Sequence, residues 1–265
     1  MQAQLPRSFM PDAGFEPVRL GRSNDGGYVI DRKSLYAAQQ LISFGINDDW
    51  SFEQDFIRHN RVPVAAYDGS INLAFFVKQA IYSLVKLYNP LHLIDKIRRS
   101  IGYLMFFRGE IRHIRSHVGI SSPPGYVSFA EVISSISSDD AAVFLKIDIE
   151  GGEYRILDDI VAIADRLTGL VIEFHDVDIN LEKIERFIAD INLGLCHVHC
   201  NNYEPLNEHR IPLALELTFT QYGKQPETGM HLPIQQDMPN NPAKQDYPIL
   251  FTADAAQQQM LQEPR

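Results

Sequence analysis

Acidic and imidazole side chains gather in four short stretches of this 265-residue chain: Phe44-Gly45-Ile46-Asn47-Asp48-Asp49-Trp50, Asp68-Gly69, Lys146-Ile147-Asp148-Ile149-Glu150-Gly151-Gly152-Glu153 and Glu173-Phe174-His175-Asp176. Each follows a run of apolar, β-prone residues, so each reads as the loop at the carboxyl end of a strand. In an open α/β sheet that edge holds the ligand, near the point where strand order reverses. Carboxylates and an imidazole placed there suit proton transfer to or from an acceptor, and Asp148, His175 and Asp176 are the candidate catalytic residues. Oxygen ligands at two neighbouring strand ends also suit magnesium, calcium or manganese, so Asp148 and Asp176, with Glu173 or His199 as a further ligand, form a candidate cation set. His197 and His199 share one strand face, continued by Asn201. Cys196 and Cys200 point to the other face, which argues against zinc. Glu153 has two readings, membership of the site or support of the following helix through its macrodipole.

The first loop discriminates between cofactors. A dinucleotide site needs several glycines so that backbone amides can approach a pyrophosphate. Here a single glycine, Gly45, precedes Asp48 and Asp49, which would repel one. A cofactor with no phosphate and a positive charge, S-adenosylmethionine, is compatible with that loop. Asp68, one strand and one helix later, is placed to accept hydrogen bonds from both ribose hydroxyls. The candidate cofactor residues are therefore Gly45, Asn47, Asp48, Trp50, Asp68 and Gly69. The turn Asn24-Asp25-Gly26-Gly27 joins them as a segment able to close over cofactor or acceptor, although plain turn chemistry would look the same.

Behind these loops, strand and helix signals alternate, the mark of a doubly wound α/β sheet. Strands are expected at 41–46, 62–67, 113–118, 142–149, 170–174, 196–200 and 213–220, seven in all, with helices following Asp49 or Ser51 and at 129–136, 153–166 and 181–191. Residues 71–108 read as a helical insertion whose apolar face carries Leu73, Phe76, Val77, Ile81, Leu84 and Val85. That stripe packs on the domain or serves as a lid, a homo-oligomer contact or a membrane-surface helix. Residues 1–250 form one domain, and 251–265 form a tail expected to be disordered. From Gly223 onward, Pro, Gln and Asn predominate and no regular structure is expected.

With 45% hydrophobic residues the chain can bury a large core, and a net charge of −10 opposes nucleic acid as a partner. No stretch has the apolar length of a membrane span. Cys196 and Cys200, four apart on one strand, are too distant to pair, and two free thiols with no secretory signal fit a cytoplasmic setting.

The stretch LKIDIEGGEYRIL at 145–157 resembles the signature of FkbM-type methyltransferases. GRSNDGGYV at 21–29, ISFGINDDWSF at 42–52 and HVHCNNY at 197–203 resemble a methyltransferase-like branch of the same group, so the likeness runs over residues 20–250. It implies the class I methyltransferase fold, Rossmann-like, with S-adenosylmethionine as cofactor and O-methylation of a sugar or other small hydroxylated acceptor. The loop departs from the usual pattern in lacking a second glycine after Gly45. Two competing expectations are a nicotinamide dehydrogenase on the same sheet and a non-catalytic module that binds the cofactor.

Overall fold

A computed structural model describes residues 1–72, 90–136, 141–223 and 231–252, the side chains of 90–96 excepted. The chain opens with β1 (Ala3–Pro6), a hairpin of β2 (Pro17–Gly21) and β3 (Gly27–Asp31), and helix α1 (Arg32–Ala37). Next come β4 (Gln40–Phe44), α2 (Ser51–His59), β5 (Val64–Tyr67), α3 (Pro90–Phe106) and β6 (Ile111–Ile114). A small parallel pair, β7 (His117–Gly119) and β8 (Tyr126–Ser128), leads into α4 (Phe129–Ser134). The second half contains β9 (Val143–Ile147), α5 (Leu157–Ala162), β10 (Leu167–Phe174), α6 (Val177–Asp190), β11 (Gly194–Cys200), β12 (Leu215–Thr220) and β13 (Ile249–Thr252).

Seven strands form the main sheet in the order β11-β12-β10-β9-β4-β5-β6. β12 runs antiparallel to both its neighbours and the rest are parallel. This is a doubly wound, Rossmann-like α/β sheet, as expected. From β4 the chain winds outward through β5 and β6, and from β9 it winds the other way, so the β4/β9 pair is the topological switch point. The central strands are continuous apolar runs because both faces are covered: all five residues of β9 and all eight of β10 are buried.

Each face has its own core. On one, Phe129 and Val132 of α4, Ile160 of α5 and Ile184 and Phe187 of α6 cover β9, β10 and β12. On the other, Tyr28 and Ile30 of the hairpin, Leu35 of α1 and Phe52 and Phe56 of α2 cover β4 and β5, with Tyr103 and Phe106 of α3 at the rim. α4 starts on a capping box, Ser128 with Glu131, and α2 ends on Arg58 and His59, favourable to its dipole. Among the described residues, no helix is long and apolar enough to cross a membrane.

Several expectations are corrected. The third sheet strand is Ile111–Ile114, not 113–118, because Ile111 and Ile114 pair with Val64 and Tyr67 and the turn at Pro123 to Gly125 draws His117 away to pair with Tyr126. The helix at 153–166 is broken into a 3-10 turn at Glu153–Arg155, α5, and a second 3-10 turn at Ala164–Arg166. The region beyond Gly223 does contain regular structure, since β13 pairs with β1. Of the helical insertion, Pro90–Phe106 is a helix, whereas the apolar positions from Leu73 to Val85 lie outside the described residues, as does 253–265.

Residues 231–248 cover β11 and β12 through a buried polar network. His199 Nδ1 meets Glu216 Oε2 at 3.1 Å and its Nε2 meets Asp246 Oδ2 at 2.9 Å, while His197 Nε2 meets Asp237 Oδ2 at 3.1 Å. Asn240 Nδ2 donates to Glu216 Oε1 and Asn202 Nδ2 to three backbone carbonyls of the covering segment. Burial alone would lower the His199 pKa, but Glu216 and Asp246 outweigh it and hold the ring protonated well above its ordinary range. Its stabilisation is therefore present at low and neutral pH and is lost as pH rises through that elevated value. Replacing His199 by alanine strands the buried Glu216 carboxylate and the partly buried one of Asp246, and His199→Ala is expected to lower stability in urea unfolding at neutral pH by about 3–5 kcal/mol. An unchanged midpoint would show that the network adds nothing.

Candidate active site

At the switch point the backbone turns sharply after β4. Gly45 (φ 72°) and Asn47 (φ 44°) both occupy the left-handed region. A side chain at Gly45 is excluded on a second count, because its Cβ would lie 1.6 Å from the carbonyl oxygen of Asp148. The turn is held from below by Lys146, a buried residue of β9, whose ammonium donates to the Gly45 carbonyl at 2.6 Å, lies 3.8 Å from Asp148 Oδ2 and sits 5.5 Å over the Tyr28 ring. Asp68, at the end of β5, ties the turn to the next strand. Its Oδ2 accepts from the Asn47 amide (2.7 Å) and its Oδ1 from the Ser70 amide and hydroxyl (2.7 and 2.5 Å). A carboxylate oxygen has two acceptor sites, so Asp68 Oδ2 retains one.

Two cavities meet over this turn. The larger, about 580 Å3, runs between Asp68 and Ser70 on one side and Gly151, Gly152 and Arg155 on the other, walled by His117, Val118 and Tyr126. The smaller, about 250 Å3, reaches Asp25 and Gly26 of the hairpin and Glu173, His175, Asn201 and Glu204. Gly45, Asn47, Asp148 and Glu150 line both.

Asp148 stands at the junction, a quarter exposed. The Tyr28 hydroxyl lies 3.0 Å from Asp148 Oδ2 and 2.9 Å from Glu173 Oε2, and with one proton it can donate to one of them at a time. The second contact is satisfied if Glu173 is neutral and donates to Tyr28 while Tyr28 donates to Asp148. The electrostatics favour that arrangement, since burial first, and then the charges of Asp148 and Glu216, push the Glu173 carboxyl up to about 8. Asn201 Nδ2 donates to its other oxygen at 2.7 Å.

His175 lies among carboxylates. Its Nδ1 is 3.4 Å from Glu153 Oε1, and its Nε2 is 3.5 Å from Glu150 and 4.0 Å from both Asp148 and Glu173. Burial opposes a charge on the ring, but the Glu153 hydrogen bond and the charges of Glu173, Glu153 and Asp148 outweigh it, pushing His175 up to about 9. A pKa raised in this way favours the imidazolium at neutral pH, the form that compensates neighbouring carboxylates and cannot accept a proton. Glu153 itself is fully buried and clamps two strand ends together, accepting from the His175 amide at 2.8 Å and from the Gly151 amide at 2.9 Å.

Of the catalytic candidates, Asp148 and His175 converge, whereas Asp176 occupies the N-cap of α6 with φ 49° and lines neither cavity. The cation set does not assemble: Asp148 and Glu173 share the smaller cavity, but both ring nitrogens of His199 are engaged in the β11/β12 network. Among the described residues, Asp148, Glu150 and His175 have ligand atoms within 4.8 Å of one another, and a metal there would have to displace the proton of the His175 ring. Of the cofactor candidates, Gly45, Asn47 and Asp68 line the larger cavity, and Asp25, Gly26 and Asp48 the smaller. Trp50 instead packs edge-on against Tyr103 and Phe107, Asn24 Nδ2 donates to the Pro239 carbonyl, and Gly69 makes room for the His117 ring. Gly27 lies where a side chain would meet the Arg22 carbonyl at 2.0 Å. Asp48 and Asp49 are ion-paired with Arg99 and Arg22, both at 2.8 Å. The negative charge expected of that loop is therefore largely compensated. Sequence reasoning gave no role to Lys146, and the signal for it was a lone lysine inside an otherwise apolar strand.

No family model matches the sequence, and no curated protein matches it at a significant level. Among solved structures, the METTL16 methyltransferase domain is similar at 11% identity and a TM-score of 0.38, covering 72% of this chain and 63% of that one. A fibrillarin/Nop5p complex chain is similar at 12% identity and 0.36, with 69% and 73% covered. Precorrin-6y C5,15-methyltransferase from Geobacter metallireducens GS-15 is similar at 13% and 0.34, with 71% and 84% covered.

Two titrations follow from this geometry. In the ligand-free protein the His175 ring is expected to titrate by NMR with a midpoint of about 9, and Glu153→Gln to move that midpoint down; a wild-type midpoint near the ordinary 6.5 would contradict the arrangement. The Glu173 pKa is raised on folding, so its neutral form stabilises the fold and that contribution is lost as pH rises through about 8. Glu173→Gln mimics the neutral form. Its stability relative to the parent is expected to grow by more than about 1 kcal/mol between roughly pH 5 and pH 9.

Proposed function

We propose that this chain is an S-adenosylmethionine-dependent methyltransferase of the FkbM type that O-methylates a sugar or another small hydroxylated acceptor. The observation that carries this reading is the pair of cavities joined at Asp148 on the switch point of the sheet. The larger has the volume of a small-molecule site, within the range of about 300–1,000 Å3. Its residues fit the cofactor: the Gly45 cradle admits no side chain, Asp68 Oδ2 has acceptor capacity for one ribose hydroxyl, and His117, Val118 and Tyr126 give a wall suited to a flat base. A single glycine, with the carboxylates of Asp68, Asp148 and Glu150 lining the cavity, suits a cationic cofactor and disfavours a pyrophosphate. When bound, S-adenosylmethionine supplies an electrophilic methyl group.

The smaller cavity takes the acceptor. Asp25, Asn201, Glu173 and Glu204 offer hydrogen-bonding partners to hydroxyl groups. Asp148 receives the acceptor proton, and the Tyr28 hydroxyl fixes the orientation of its carboxylate. Lys146 and the His175 imidazolium compensate the negative charge around Asp148, so the carboxylate stays in place without swinging away. Alignment of acceptor oxygen and methyl carbon does most of the remaining work.

Calorimetry with S-adenosylhomocysteine and NAD tests the cofactor half. Binding of the former alone is expected, weakened by about 1.5–3 kcal/mol in Asp68→Ala. Binding of NAD, or an unaffected Asp68→Ala, would overturn it. For the chemical half, Asp148→Asn is expected to cost about 10²–10⁴ in kcat with cofactor affinity retained. With His175 and Glu173 active in their protonated forms, kcat/KM is expected to fall as pH rises through about 8 to 9. A rise over that range would instead make His175 the base.

A further inference from the structure

Helix Pro90–Phe106 is bound to the domain along one side. Trp50 lies 5.8 Å from the Tyr103 ring and 6.0 Å from Phe107, and Arg99 Nη1 donates to Asp48 at 2.8 Å. On the opposite side Ile97, Ile101, Leu104 and Met105 are 45%, 52%, 45% and 63% exposed. Their spacing of four, three and one places them in a single row along the helix. Arg98, three residues before Ile101, flanks the row, and Arg108, four after Leu104, closes its end with its Nε on the Leu104 carbonyl at 2.6 Å. Both arginines are exposed.

We infer that this helix face docks on an anionic lipid surface. Charge is the deciding observation. Between positions 95 and 115 six Lys and Arg residues stand against Asp95 and Glu110, and with Arg99 paired to Asp48 the segment keeps a local excess of about +3 in a chain whose net charge is −10. The remainder of the molecule is repelled by an anionic bilayer while this segment is attracted, so approach is oriented helix first. An aliphatic row flanked by arginines matches the interfacial binding mode, in which apolar side chains enter the acyl boundary and the guanidinium groups stay at the headgroups. Nucleic acid fits less well, since Ile, Leu and Met offer no ring to stack on bases. A symmetric second copy would oppose Arg98 and Arg108 with their own equivalents.

The test is co-sedimentation of the full chain with phosphatidylcholine vesicles and with vesicles containing about 30% phosphatidylglycerol. Binding to the second and little to the first is expected, weakening as salt is added. The double variants Ile101→Ser/Met105→Ser and Arg98→Gln/Arg108→Gln are each expected to lose about tenfold or more in partitioning. Unchanged circular dichroism melts establish that both remain folded. No binding to either vesicle, or equal binding by folded variants, would overturn the inference. So would a dimer in light scattering that Ile101→Ser/Met105→Ser dissolves, because the row would then be closed by a second copy.

Discussion

The hydrogen bond from the buried Lys146 ammonium to the Gly45 carbonyl is the constraint on which the rest of the site depends. An ammonium inside a parallel sheet is costly unless it is satisfied, and here its partners are the carbonyl, the nearby Asp148 carboxylate and the face of Tyr28. In meeting that need, the protein locks the β4 turn against the end of β9, at the point where the two halves of the sheet diverge. Gly45 has no alternative residue, since any Cβ would enter the Asp148 carbonyl. One polar requirement therefore fixes both the floor of the cleft and the position of the carboxylate at its centre.

Around that floor, charges are arranged in compensating pairs. Asp48 and Asp49, which looked like free anions in the sequence, are neutralised by Arg99 and Arg22, and Arg99 at the same time holds the helix at 90–106 to the loop. Glu153 uses its two oxygens to bind the ends of β9 and β10 together. At the centre Asp148 keeps solvent access, as Glu150 does, and it is flanked by a Glu173 carboxyl whose pKa burial pushes up and a His175 ring whose pKa the surrounding carboxylates push up. Under the proposed function these shifts would leave one carboxylate, Asp148, as the acceptor for a proton while its neighbours orient it.

Much of this was legible in the residues. The seven-stranded sheet, the position of the polar clusters at strand ends and the meeting of Gly45, Asp68, Asp148 and His175 followed from apolar runs ending in Gly, Asp and His. The raised pKa of His175 was not legible, because it depends on Glu153, Glu173 and Asp148 arriving from two strands and a turn at once. Nor was the fate of His199: its alternation with Val198 gave the correct face, but Glu216 and Asp246, which occupy both its nitrogens, come from a neighbouring strand and a distant loop. The strand at 249–252 was hidden by its Pro- and Asn-rich surroundings and exists because β1 supplies its partner.

The proposed chemistry requires cofactor and acceptor to occupy two cavities meeting at Asp148. A crystal structure with S-adenosylhomocysteine bound tests it directly. The ribose is expected at Asp68, the base against His117 and Tyr126, the sulfur facing Asp148, and the smaller cavity beside His175 and Asn201 still open to an acceptor. The nucleoside lying in the smaller cavity, or outside the β4/β9 switch point altogether, would contradict it.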